Sequence, residues 1–145
     1  MKYNPQYHED FCAWAFHTAD LLREGKYEEV DIGNLAKRIE GLGKKNERQS
    51  IKKLIEIIVL LLTWQLDHKK QSRRLNLRIL NQRFKLSLIL DDSPILKNKM
   101  SEMLNDLYQS AVNELVANTD LSSSHFPEKC PYSFQQCLDY RFLPE

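Results

Sequence analysis

Between Ile51 and Leu66 the chain leaves almost no position for water. On a helical wheel, Ile51, Leu54, Ile55, Ile58, Val59, Leu61 and Leu62 cover one broad side, and Ile57, Leu60 and Trp64 continue round the back. Polar Lys52, Glu56, Thr63 and Asp67 share a narrow sector. A helix that is apolar nearly all round belongs inside something. Burying these side chains is worth roughly 15–20 kcal/mol before entropy is subtracted, at about 2 kcal/mol each.

The remaining elements arrange themselves around this one. Tyr7, Phe11, Trp14, Ala15, Thr18, Leu21 and Leu22 form one stripe of a first helix, from about Pro5 to Glu24, with Gly25 as its stop. Asp31 reads as the N-cap of a short second helix that buries Ile32, Leu35, Ala36, Ile39 and Leu42 and ends at Gly41 and Gly43. Polar Lys44 to Gln49 leads into the central, third helix, which runs to about Asp67; His68 to Ser72 is a turn. A fourth helix spans Arg73 to Leu90, again apolar round most of its wheel. Asp91-Asp92-Ser93-Pro94 breaks the chain, with Ser93 as cap and Pro94 in the first turn of a fifth helix reaching Asn118. After a polar loop, Ser133 and Gln136 have the spacing of a capping box for a short last helix, and the tail Arg141-Phe142-Leu143-Pro144 is apolar enough to dock on the body. The expected fold is all-α: one domain over residues 1–145, an antiparallel bundle of five to six helices with helices three and four as its inner pair. The same surplus of apolar surface also points toward a second subunit, for which a symmetric dimer is the default form.

Composition narrows the class without naming an activity. The 145 residues are enough to bury a core without staples, and only four glycines and five prolines argue against a turn-rich β fold. Three cysteines at unpatterned spacings do not make a disulfide framework, so a reducing, cytoplasmic setting is expected. The N-terminal Met1-Lys2-Tyr3-Asn4-Pro5 lacks the apolar core of a signal peptide. The uninterrupted apolar run Ile57–Leu62 falls short of the ~20 residues of a membrane span, so no membrane partner is expected. Net charge is +1, yet residues 51–90 carry nine Lys/Arg against two Asp/Glu, while 91–145 carry four against nine. That unevenness means either an outside anionic partner or segments that neutralise one another once folded.

Candidate chemistry is sparse. His8 and Cys12 share a helical face, but His17 points the opposite way, so one ion cannot take all three and no metal site is expected. Asp10, His17 and Glu24 recur at heptad intervals, the spacing of an acid-flanked general base, and equally that of a solvated helix back. Cys130 and Cys137 form no redox motif, and their α-carbons are expected beyond the ~7 Å limit for bridging. The four glycines match neither a dinucleotide fingerprint nor a phosphate loop, and no hydrolase elbow or zinc-protease motif occurs. No cofactor is implied.

The basic segment carries more weight. From His68 to Leu90 there are seven Lys/Arg and no acid, and Arg74, Arg78, Asn81 and Lys85 align at i, i+4, i+7 and i+11. Arg74, Arg78 and Lys85 are therefore the candidate anion-binding residues, a row able to track a phosphate backbone in a salt-dependent way. Against nucleic acid, Phe84 is the lone aromatic among aliphatic neighbours, so there is no stacking platform. Solvation, or salt bridges to carboxylates such as Glu28, Glu29 or Asp31, is the plainer reading of the row.

The order of several motifs resembles a known family. Asp10-Phe11-Cys12-Ala13-Trp14, Thr18-Ala19-Asp20-Leu21-Leu22-Arg23-Glu24-Gly25, Asp31, Ile39-Glu40-Gly41-Leu42-Gly43, Trp64, Arg73 with Gln82-Arg83, and the closing Phe126-Pro127-Glu128-Lys129-Cys130-Pro131-Tyr132-Ser133 with Phe142-Leu143-Pro144 are similar to a largely cyanobacterial helical family, domain of unknown function twenty-nine. The resemblance implies an all-helical cytoplasmic protein with no established activity. In the middle the chain departs from it: Val59–Trp64 replaces a His-containing run, and Arg73-Arg74-Leu75-Asn76 stands where the family has a Ser-Trp pair after the Arg.

The function expected from the sequence is thus a non-enzymatic helical module that binds a protein partner or a copy of itself. The alternative is a nucleic-acid-binding or -processing protein working through Arg74, Arg78 and Lys85; an enzyme built on Asp10, His17 and Glu24 comes last.

Overall fold

The computed structural model describes residues 5–145. Among them there is no strand. Six α-helices run in order: α1 (Phe11–Arg23), α2 (Ile32–Leu66), α3 (Arg73–Leu90), α4 (Pro94–Glu102), α5 (Leu104–Asn118) and α6 (Phe134–Leu138), with 3₁₀ turns at Tyr27–Glu29, His68–Lys70 and Ser123–His125. The chain divides into two compact units, Met1–Lys45 and Asn46–Glu145, the boundary falling inside α2.

In the first unit, α1 begins at Phe11 rather than near Pro5. Asp10 decides this, because its carboxylate accepts the Ala13 amide at 3.0 Å and so caps the helix there. Trp14, Thr18 and Leu21 are buried, and Tyr7 stands edge-on to Trp14 with ring centroids 4.8 Å apart. The expected stop at Gly25 is found, at φ 74°, with Lys26 N–H returning to the Leu21 carbonyl at 2.9 Å. Asp31 caps α2, accepting the Asn34 amide at 3.3 Å.

The expected second and third helices are one helix of 35 residues. Gly41 and Gly43 do not end it. Neither has a positive φ, and each costs the helix only about 1 kcal/mol against alanine. Helix-forming Lys44, Lys45, Glu47 and Arg48 come directly after them, and propagation needs no new nucleus.

The second unit holds the main core. From Lys53 to Gln65 no residue of α2 is exposed, and Leu54, Ile57, Ile58 and Leu61 are completely buried. At about 1.5–3 kcal/mol for each such side chain, this segment is the main apolar contribution to the fold. Tyr108, Ala111, Val112 and Leu115 of α5, Met100 of α4 and Cys137 of α6 close around it. α3 shares the centre through one face only: Leu75, Ile79, Leu86 and Leu90 are buried, whereas Leu77, Phe84 and Leu88 lie more than half exposed. Its boundaries are those the sequence predicts, with Ser72 capping the Leu75 amide at 3.1 Å. The expected fifth helix is broken at Met103, whose ψ of 0° ends α4 and starts α5. Ser93 caps α4, Ser133 and Gln136 form the expected box on α6, and Phe142 and Leu143 pack on the core.

Candidate protein and anion interface

The row Arg74, Arg78 and Lys85 lies on the exposed side of α3. Its position follows from helical period, since the buried residues Leu75, Ile79, Arg83, Leu86 and Leu90 occupy the opposite side. Along the same outward side, Leu77, Phe84 and Leu88 are 52%, 54% and 57% exposed. They fall within about 40° of one another at roughly 100° per residue, which makes a ridge, and the three cations form one flank of it.

On that flank a groove of about 570 Å³ opens, lined by Lys69, Lys70, Arg74 and Arg78 over an apolar floor of Val59, Leu60 and Leu75. The connector supplying the two lysines is held in place from behind. Asp67 accepts the Lys69 amide at 3.1 Å, and the Gln71 side chain donates to the Trp64 carbonyl at 2.8 Å. The carboxylate that meets the row is Glu56 of α2, 3.4 Å from Arg78, with the Arg78 side chain mostly exposed and that of Glu56 partly so. Such a pair contributes little. Arg74 and Lys85 pair with no carboxylate among the described residues.

Among the described residues other chemistry does not assemble. Asp10 is engaged as the α1 cap, and His8 lies in the turn before that helix. Among the described residues no three His, Cys, Asp or Glu gather as ligands for an ion. Ser122 Oγ and His125 Nδ1 are 3.2 Å apart, but His125 Nδ1 already takes the Ser122 amide at 3.0 Å, so the pair closes a 3₁₀ turn. No described helix is long and apolar enough to cross a membrane.

Arg83 is the residue the charge pattern misplaced. Counted with the basic segment, it is instead 1% exposed. Its Nε donates to the Cys137 carbonyl at 2.8 Å, Nη1 to Phe142 at 2.9 Å and Nη2 to Gln136 at 3.0 Å. One guanidinium thereby satisfies two carbonyls of α6 and one of the tail. Burial pulls its pKa below the ordinary arginine value, and the nearby Cys137 and Asp139 oppose that shift. Helical period puts Arg83 on the same side as Ile79, Leu86 and Leu90, but the carbonyls that receive it lie more than fifty positions away.

With the geometry in place, comparison with known proteins settles the family. Residues 6–143 match the family described as Domain of unknown function DUF29. The chain belongs to it. No curated protein and no solved structure matches the chain. In this DUF29 member the thiols of Cys130 and Cys137 influence one another and stay unbridged. The interaction between the two thiols lowers the pKa of Cys130 and, together with burial, raises that of Cys137. Cys130 is half-buried and Cys137 fully buried, and both are free thiols.

Proposed function

We propose that this DUF29 protein is a non-enzymatic helical interaction module whose partner is a protein. The observation that carries the reading is the exposed ridge Leu77, Phe84 and Leu88 on a helix whose other side lies in the core. Large apolar side chains gathered on one exposed helix side commonly mark a binding surface. The three free thiols support a reducing, cytoplasmic setting. The flanking Arg74, Arg78 and Lys85 favour a partner with negative charge.

A dye that fluoresces on apolar surfaces tests this, read beside light scattering of the eluting protein. The expected result is clear enhancement by the native chain, lost in a Leu77→Ser, Phe84→Ser, Leu88→Ser variant that keeps its melting temperature. A strict monomer that binds no dye rejects the proposal.

A further inference from the structure

We infer that the outward side of α3 receives an acidic amphipathic helix from a different protein. This deepens the interaction-module reading and depends on it. The ridge Leu77, Phe84 and Leu88 spans three turns of α3, about 16 Å at 1.5 Å per residue. A second helix laid along it supplies an apolar strip of the same length, the side-by-side packing of two amphipathic helices. Charge decides the partner's other positions. Arg74, Arg78 and Lys85 flank the ridge, and Lys69 and Lys70 continue the positive surface into the adjoining groove. From His68 to Leu90 the chain has no carboxylate of its own, and Glu56 engages only Arg78. Acidic residues beside the incoming apolar strip therefore meet Arg74 and Lys85, which pair with no carboxylate among the described residues, while Arg78 and Lys70 already face Glu56 and Asp67.

The placement of acids on the helices argues against a second copy as the natural occupant, α1 and α4 holding one each, Asp20 and Glu102. α3 and α6 hold none, α5 holds only Asp106 and Glu114, and the three glutamates of α2 stand among seven Lys/Arg. Nucleic acid matches the cations but leaves the Leu77 and Leu88 side chains without an apolar counterpart, and Phe84 stacks a single base.

The test uses the full chain and three labelled peptides of about 18 residues, followed by fluorescence anisotropy. One is amphipathic with Leu on a single helical face and Glu beside it, one has Lys in place of Glu, and one is a scrambled version of the first. The acidic amphipathic peptide is expected to bind, and to lose affinity as salt rises. Binding weakens about tenfold in an Arg74→Glu, Arg78→Glu variant and about fivefold in Leu77→Ser, Phe84→Ser. Equal binding of the scrambled peptide, displacement by single-stranded RNA at lower concentration, or no binding overturns the inference. If the peptide fails while the dye still reports a patch that the triple serine variant removes, this inference falls and the interaction module stands. If both fail, both readings fall.

Discussion

Arg83 reaches across 54 residues of sequence to donate its Nε hydrogen to the carbonyl of Cys137 at 2.8 Å. A single side chain of α3 thereby holds the short helix α6, which at five residues has too few internal hydrogen bonds to stand alone. The last part of the chain depends on this contact and on burial of Cys137, Tyr132 and Phe142.

Replacing Arg83 by methionine keeps the volume and strands the carbonyls of Gln136, Cys137 and Phe142. At about 1–3 kcal/mol for an unsatisfied buried group, with some recovery by water, the unfolding free energy drops by about 3 kcal/mol. Urea denaturation followed by circular dichroism measures it. Arg83→Lys recovers only part, because an ammonium cannot fork to three acceptors in fixed geometry. A loss below about 1 kcal/mol for Arg83→Met contradicts the anchoring role.

Gly41 and Gly43 lie inside α2, and an added Cβ at either meets nothing within 4 Å. Alanine at each therefore raises stability by roughly 0.5–1 kcal/mol through lower unfolded-state entropy. Gly25, at φ 74°, responds the other way, with Gly25→Ala destabilising by about 1 kcal/mol. Melting curves of the three single variants separate the cases by sign alone.

Alkaline pH loosens the core. Burial is the main cause that raises the pKa of Tyr132 and of Tyr108, whose hydroxyls donate to Gln65 Oε1 at 2.6 Å and to the Pro127 carbonyl at 2.7 Å. Both phenols lose their protons more readily in the unfolded chain, so the stabilisation is full below the unfolded value of about 10 and declines as pH rises beyond it. Denaturation midpoints are expected to fall more steeply above pH ~10 than below it. Tyr132→Phe flattens that extra slope while lowering stability near neutrality by about 1 kcal/mol, from the lost hydrogen bond. An unchanged slope in the variant assigns the alkaline loss elsewhere.

Much of the fold was legible because its signals are local. Ser93, Ser133 and Asp31 cap their helices as their sequence neighbourhoods indicate, since a cap is a hydrogen bond over two or three residues. Gly25 was legible too, while Gly41 and Gly43 were not. All three are the same residue type, and whether a helix stops at glycine depends on the helix-forming strength of the next few residues and on how much the continued helix buries.

The candidate interface was half legible. Periodicity placed Arg74, Arg78 and Lys85 together on one side of α3, and the structure keeps them together and exposed. Composition alone could not tell that Arg83 belongs inside, because its partners are carbonyls of Gln136, Cys137 and Phe142, more than fifty positions away. Nor could it show that Leu77, Phe84 and Leu88 face water on a helix whose wheel is apolar almost throughout.

The sequence by itself determined that the chain is helical, where most helices start, and that residues 51–66 lie at the centre, because capping and amphipathic period act within a few turns. Only the tertiary structure decided which apolar residues of α3 are core and which are surface, and which arginine is a buried strut and which stay at the surface. Those outcomes depend on the neighbours that packing supplies, and side chains of one type are indistinguishable until those neighbours are in place.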